Sequence, residues 1–264
     1  MKRLRLSKPV TVSGEDFFGR KAKITFYPCY NPGWHWMCGN ELIPIASDLV
    51  VGDRRRITLG YKKHRLEIYE HIGAIRFTGL DYIAIQSSTW PPYFGRIAEY
   101  WEALKPHCVE GDGNIPWIIP RGQIRSTSYK DDSRFVEISP RLFGGLYAFV
   151  KVDMSEIGSE YVICELPGKL TDFFSAYTLG WPSWLYYPST LADKILGWSH
   201  HERITWQNNN AKEELLKKIA LHRVGDLLGA LSLISHVDLI SGEVISHRGS
   251  HKLDVAIVKD MKSF

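Results

Sequence analysis

A chain of 264 residues, 44% of them hydrophobic, is long and apolar enough to bury a sizeable core, which excludes a disordered protein. Its 33 basic and 29 acidic residues leave a formal charge of +4 and are spread along the chain, which argues against a nucleic-acid-binding face. The four cysteines, Cys29, Cys38, Cys108 and Cys164, lie far apart with no C-x-x-C pair, so neither a thiolate zinc site nor a disulfide framework is expected.

The first ten residues are basic with no apolar segment after them, and no run of about 18 apolar residues occurs anywhere, so a cytoplasmic protein without a membrane span is expected. Residues 9–30 read as a hairpin: a strand, a turn around Gly14 and Gly19, and a second alternating strand. A third strand is expected near 56–59. Residues 66–77 follow with Ile68, Ile72 and Ile75 at helical spacing, placing Glu70 and His71 within a helix. A strand at 82–86, a break at Pro91-Pro92 and a helix at 96–105 complete one α+β unit.

Residues 110–128 hold Gly111, Gly113, Pro116, Pro120 and Gly122 and read as a domain linker, giving an N-terminal α+β domain over 1–118 and a C-terminal one over 119–264. Strands are expected at 135–138, 146–152 and 160–164, then a helix over 211–234 and a last strand before His247. The second half echoes the first without any sequence repeat, so a duplication would be structural only. The aromatic stretch 181–198 reads as a wall, a lid or part of the core.

Two local patterns carry possible chemistry. His222 and Asp226 are four apart in the long helix, so they project from one face and suit either a surface ion pair or two ligands of one metal ion. A catalytic zinc site needs three protein ligands and an open fourth position, so a third would come from elsewhere. Glu70 beside His71 reads as an acid next to a packed histidine or as a base next to a ligand. His35, His64, His107, His236 and His247 read as surface or packing residues, as do His200 and His201, although that pair lies shortly before the long helix.

Four separated segments, in order, resemble the signature segments of the UDP-3-O-acyl-N-acetylglucosamine deacetylase family of lipid A synthesis. Ile68-Tyr69-Glu70-His71-Ile72 is similar to the family's T-V-E-H-L, and Ala176-Tyr177-Thr178-Leu179-Gly180 to A-R-T-F-G. His222-Arg223-Val224-Gly225-Asp226 resembles H-K-x-L-D, and Gly249-Ser250-His251-Lys252-Leu253-Asp254 a segment ending in H-K-L-N. The resemblance implies two α+β domains, each a sheet backed by helices, with the helices packed face to face as a sandwich around a zinc cleft.

It further implies that His71, His222 and Asp226 hold zinc, with ferrous iron as an alternative occupant, that Glu70 is the general base, that Thr178 hydrogen-bonds the oxyanion and that His251 is the second acid–base group. Arg223, Leu179 and Lys252 would contact substrate, Arg223 through the phosphates of a UDP-linked acylated amino sugar. A monomer is expected. The chain departs from the pattern at Ala230, where the family has a second aspartate supporting the catalytic histidine, a role left to Asp238 or Glu243. Tyr93-Phe94-Gly95-Arg96-Ile97 stands for I-M-D-G-S, Phe18 stands near a family histidine and Glu202 replaces an asparagine. These departures leave open a relative that deacetylates another N-acetyl sugar, or a non-catalytic sugar-nucleotide or lipid-precursor binding protein.

Overall fold

Alternating apolar residues in the first hairpin bring Val10 opposite Phe26 and Val12 opposite Ile24, all four turned inward. The computed structural model describes residues 1–54, 56–141, 144–154, 158–168, 170–176 and 212–261. In it the hairpin strands Val10–Glu15 and Lys21–Pro28 form one side of a five-stranded sheet. Ile83–Ser87 lies in the middle, antiparallel to Lys21–Pro28 and parallel to Trp34–Cys38, which pairs in turn with Glu41–Pro44. Ile83, Ala84 and Ile85 are all buried, as residues of a central strand covered on both faces must be.

The second half builds a sheet of the same design. Ile124–Ser128 pairs with Asp131–Ser139, Gly242–His247 inserts in the middle, and Leu146–Met154 and Gly158–Leu166 follow. With the strands of each sheet numbered along the chain, both sheets run 1-2-5-3-4, and in both only the contact between strands 3 and 5 is parallel. Each sheet also has helix before and after its fifth strand: Tyr69–Gly73 and Ala98–Leu104 in the first half, and in the second Thr171–Phe174 and Lys212–Leu231 before it and His251–Met261 after it. The duplication lies in topology alone.

The protein is thus mixed α and β, with several sheets and few helices, as expected. The stretch read as a linker carries strands instead. Cys108–Asn114 pairs with the basic strand Lys2–Leu6, and Trp117–Ile118 runs parallel to Leu239–Ile240. Of the glycines that suggested a break, Gly111 packs closely, where a Cβ would lie 3.1 Å from the Arg5 side chain, and Gly113 takes a positive φ of 71°. Among the described residues no helix is long and apolar enough to cross a membrane.

The larger of two buried apolar clusters among the described residues runs through both halves and includes the C-terminal part of the helix Lys212–Leu231. From His222 onward almost every residue of that helix is buried, Val224, Leu227, Leu228, Ala230 and Leu231 included, so it has no polar face to lend it amphipathic periodicity. It crosses the short helix Tyr69–Gly73 at two glycines. A Cβ on Gly229 would lie 2.0 Å from the Glu70 carbonyl oxygen, and one on Gly73 would lie 2.5 Å from Ser232 Oγ. Only hydrogen at these positions permits so close an approach.

Two polar ties lock the crossing. Ser232 Oγ donates to the Gly229 carbonyl at 2.6 Å, so the Tyr69 hydroxyl, 3.1 Å away, is the donor to Ser232. Arg76 is fully buried and its Nη1 donates to the Ser232 carbonyl at 2.9 Å and to that of Ser235. A cation thereby satisfies carbonyls of the turn that follows the long helix, near the negative end of its dipole.

Candidate metal centre

His71 and Glu70 are presented by a helix of five residues whose preceding residue, Ile68, takes the left-handed conformation with φ 56°. For a β-branched residue that conformation costs on the order of 1–3 kcal/mol and has to be held by its surroundings. The backbone of Ile57 holds it from both sides. Its carbonyl accepts the Tyr69 N–H at 3.0 Å, and its N–H donates to Glu70 Oε2 at 2.8 Å. The Glu70 carboxylate is therefore fixed as well as buried.

Opposite them, the long helix places His222 and Asp226 one turn apart on the face that meets Tyr69–Gly73. Asp226 Oδ1 lies 3.4 Å from His222 Nε2 and 3.8 Å from His71 Nε2, and the two imidazoles stand edge to face with centroids 5.3 Å apart. One potential ligand atom from each of His71, His222 and Asp226 falls within 4.8 Å of the others, and all three residues are buried.

The donor set fits a divalent cation. His222 Nδ1 is 3.2 Å from the Ala176 carbonyl and donates to it, which turns Nε2 toward Asp226. Burial, with the neighbouring His222 charge, holds the pKa of His71 down to about 3, leaving that imidazole neutral and able to ligate at ordinary pH. Asp226 Oδ1 is buried without a hydrogen-bond donor among the described residues. For Asp226, burial acts against ionisation, yet His222, His251, Arg223 and His71 together hold its pKa below the usual carboxylate value. Two imidazole nitrogens and a carboxylate oxygen are a common zinc set, and they suit ferrous iron also.

Glu70 and His251 flank this triad. Burial raises the Glu70 pKa to about 7, with His251 opposing and Asp226 reinforcing the shift, so near neutral pH the group is poised between acid and base. His251, at the start of the helix His251–Met261, sets Nε2 4.0 Å from Asp226 Oδ2. Five of the expected site residues thus meet from three chain segments. Tyr93, in the segment that stands for I-M-D-G-S, is buried and stacks on His71 with ring centroids 6.1 Å apart. Its place in a segment aligned with a family signature was the available signal.

Of the remaining expected residues, Thr178 and Leu179 lie outside the described residues, as do His200, His201 and Trp198. Lys252 is exposed beside His251. Arg223 turns to the fully buried Asp254, with Nη2 donating to Oδ1 and, at 2.5 Å, to Oδ2. Ala230 is fully buried among apolar side chains. Of the two acids considered in its stead, Asp238 accepts the Ser235 hydroxyl at 2.9 Å and Glu243 is exposed on its strand. Asp254 had no role assigned by sequence, although its position three residues after His251 on a helix pointed toward the same neighbourhood. No family model matches the chain, and no curated protein matches it.

Proposed function

We propose that this protein is a metal-dependent amide hydrolase that removes the N-acetyl group from UDP-3-O-acyl-N-acetylglucosamine, a step of lipid A synthesis, with zinc held by His71, His222 and Asp226. The observation that carries the reading is the meeting of Glu70, His71, His222, Asp226 and His251 in one buried cluster, residues drawn from three of the four motif segments. A module that only binds has no need of a buried carboxylate poised to accept a proton beside a pair of histidine ligands. On this reading the two like sheets are two domains sandwiching a zinc cleft between their helices, in a monomeric cytoplasmic enzyme.

A divalent ion bound there supplies Lewis acidity, polarising the acetamide carbonyl and acidifying water. Glu70, anchored by Ile57 N–H, takes the proton of the attacking water. Thr178 donates to the oxyanion as charge develops on the carbonyl oxygen. His251 gives a proton to the departing nitrogen as the C–N bond breaks, so that acetate and a free amine leave. Lys252, exposed at the rim, meets the anionic part of the substrate, and Leu179 contacts its apolar part.

A second reading is favoured by one observation. Arg223 is engaged by Asp254, so its guanidinium is already neutralised, and a diphosphate would have to compete for it. That favours a relative acting on an N-acetyl sugar without a nucleotide. The test is elemental analysis of the protein and of His222→Ala, with a free-amine assay on the UDP-linked sugar and on N-acetylglucosamine derivatives lacking the nucleotide. About one metal per chain, lost in the variant together with amine release from the UDP-linked sugar, is the expected result. Release only from substrates lacking the nucleotide supports the second reading, and a chain that binds no metal refutes both, leaving the non-catalytic binding protein.

A further inference from the structure

The Arg223–Asp254 pair joins two helices at the site. Arg223 follows the ligand His222 on the helix Lys212–Leu231, and Asp254 stands one turn after His251 on the helix His251–Met261. The carboxylate is completely buried and the arginine side chain is 11% exposed, so the contact lies within the protein rather than on a solvated rim. Its geometry is built for a guanidinium. Both oxygens of Asp254 accept from Nη2, and at Gly249, in the loop that leads into the second helix, an added Cβ would fall 2.9 Å from Nη2 and 2.3 Å from Ser246 Oγ. Glycine at 249 leaves the room that the guanidinium occupies.

The same helix start is fixed by its own backbone: Asp254 N–H donates to the Ser250 carbonyl at 2.9 Å. His251 lies between these anchors. Its Nδ1 is buried with no hydrogen-bond partner among the described residues, so no direct bond to its ring sets its orientation there. The position of the helix backbone therefore sets where Nε2 points relative to Asp226. Ala230 removes the carboxylate that the resemblance places near this histidine, and the two residues that pair here, arginine and aspartate, stand where the resembling pattern has lysine and asparagine.

We infer that Arg223 and Asp254 are positioning residues, a buried ion pair that ties the helix bearing His251 to the helix bearing His222 and Asp226 and so sets the His251 ring against the metal site. The catalytic part of the inference rests on the hydrolase reading above, in which His251 is the proton donor; the positioning part stands on the geometry. The pair takes the place of a direct carboxylate–histidine contact, acting through the backbone of one helix turn.

The experiment uses the zinc-loaded protein with ¹⁵N-labelled histidine and the variants Asp254→Asn, His251→Gln, their double variant, and Arg223→Met/Asp254→Leu, which removes both charges and strands neither. The His251 ring signal is identified by its absence in His251→Gln. In Asp254→Asn and in the apolar pair variant that signal is expected to shift or broaden while zinc stays at about one per chain. In the free-amine assay Asp254→Asn lowers kcat about tenfold or more with KM within about twofold, and it has no further effect in the His251→Gln background. A His251 signal unmoved in both variants overturns the inference, as does loss of zinc along with the shift, which marks general disruption. Effects of Asp254→Asn and His251→Gln that multiply overturn it too. If the wild-type protein binds zinc but releases no amine, the hydrolase reading fails and the ring signals alone decide whether the pair positions His251.

Discussion

Replacing Gly229 with alanine should separate the metal ligands while leaving the fold in place. The added Cβ meets the backbone of Glu70, 2.0 Å from its carbonyl oxygen and 2.5 Å from its carbonyl carbon, and neither atom can turn away as a side chain would. Ordinary van der Waals separation is about 3.5 Å, so the two helices have to part by roughly 1 Å or more. Overpacking of this kind costs about 1–3 kcal/mol, and the better helix propensity of alanine returns up to about 1 kcal/mol, leaving a stability loss of about 0–3 kcal/mol. The ligands are less forgiving. Asp226 sits one turn before Gly229 and His71 follows Glu70, so the same displacement falls between two ligand groups now 3.8 Å apart, where ligation tolerates only about 0.2 Å. We expect at least a tenfold loss of zinc affinity by chelator competition. Gly225→Ala on the same helix is the control: its Cβ meets the end of the flexible Ile97 side chain at 2.6 Å, so the propensity gain is the same but no ligand backbone moves. Wild-type zinc affinity in Gly229→Ala, or an equal loss in Gly225→Ala, would refute the reasoning.

Three further outcomes are expected. Arg76→Met leaves the Ser232 and Ser235 carbonyls without their cationic donor and should cost about 2–4 kcal/mol in urea unfolding; a loss under about 0.5 kcal/mol would show that Arg76 does not hold the turn after the long helix. Burial opposes ionisation of Asp16, but the Arg20 side chain and the N–H groups of Arg20 and Phe18 hold its pKa below the usual value. A depressed carboxylate stabilises the fold above its unfolded pKa of about 3.9 and loses that contribution as pH falls through its folded pKa, so Asp16→Asn should show a flatter acid limb in urea midpoints measured below about pH 4. An acid limb as steep as that of the wild type would contradict this account. Stripping the metal with a chelator should lower the thermal midpoint, by an amount equivalent to about 2.7 kcal/mol at free zinc a hundredfold above Kd, and His222→Ala should show no such dependence on zinc.

The sequence by itself determined the α+β class, the first hairpin, the central strands and the long helix, because alternation and helical spacing are local properties of the chain. It also brought Glu70, His71, His222, Asp226 and His251 into one hypothesis, through motif letters rather than periodicity. Other elements escaped it. The basic strand Lys2–Leu6 was not assigned from sequence because its hydrogen bonds come from the distant Cys108–Asn114, and the helix His251–Met261 passed unassigned although Ser250 precedes apolar residues at 253, 257, 258 and 261. What only the tertiary structure decided was partnership. Gly73 and Gly229 acquire their purpose when two helices from opposite halves cross, and Arg223 pairs with Asp254 because a guanidinium at that depth needs a counter-charge. Such pairings join residues far apart in the chain, and no local pattern records which buried charge or which backbone will lie opposite.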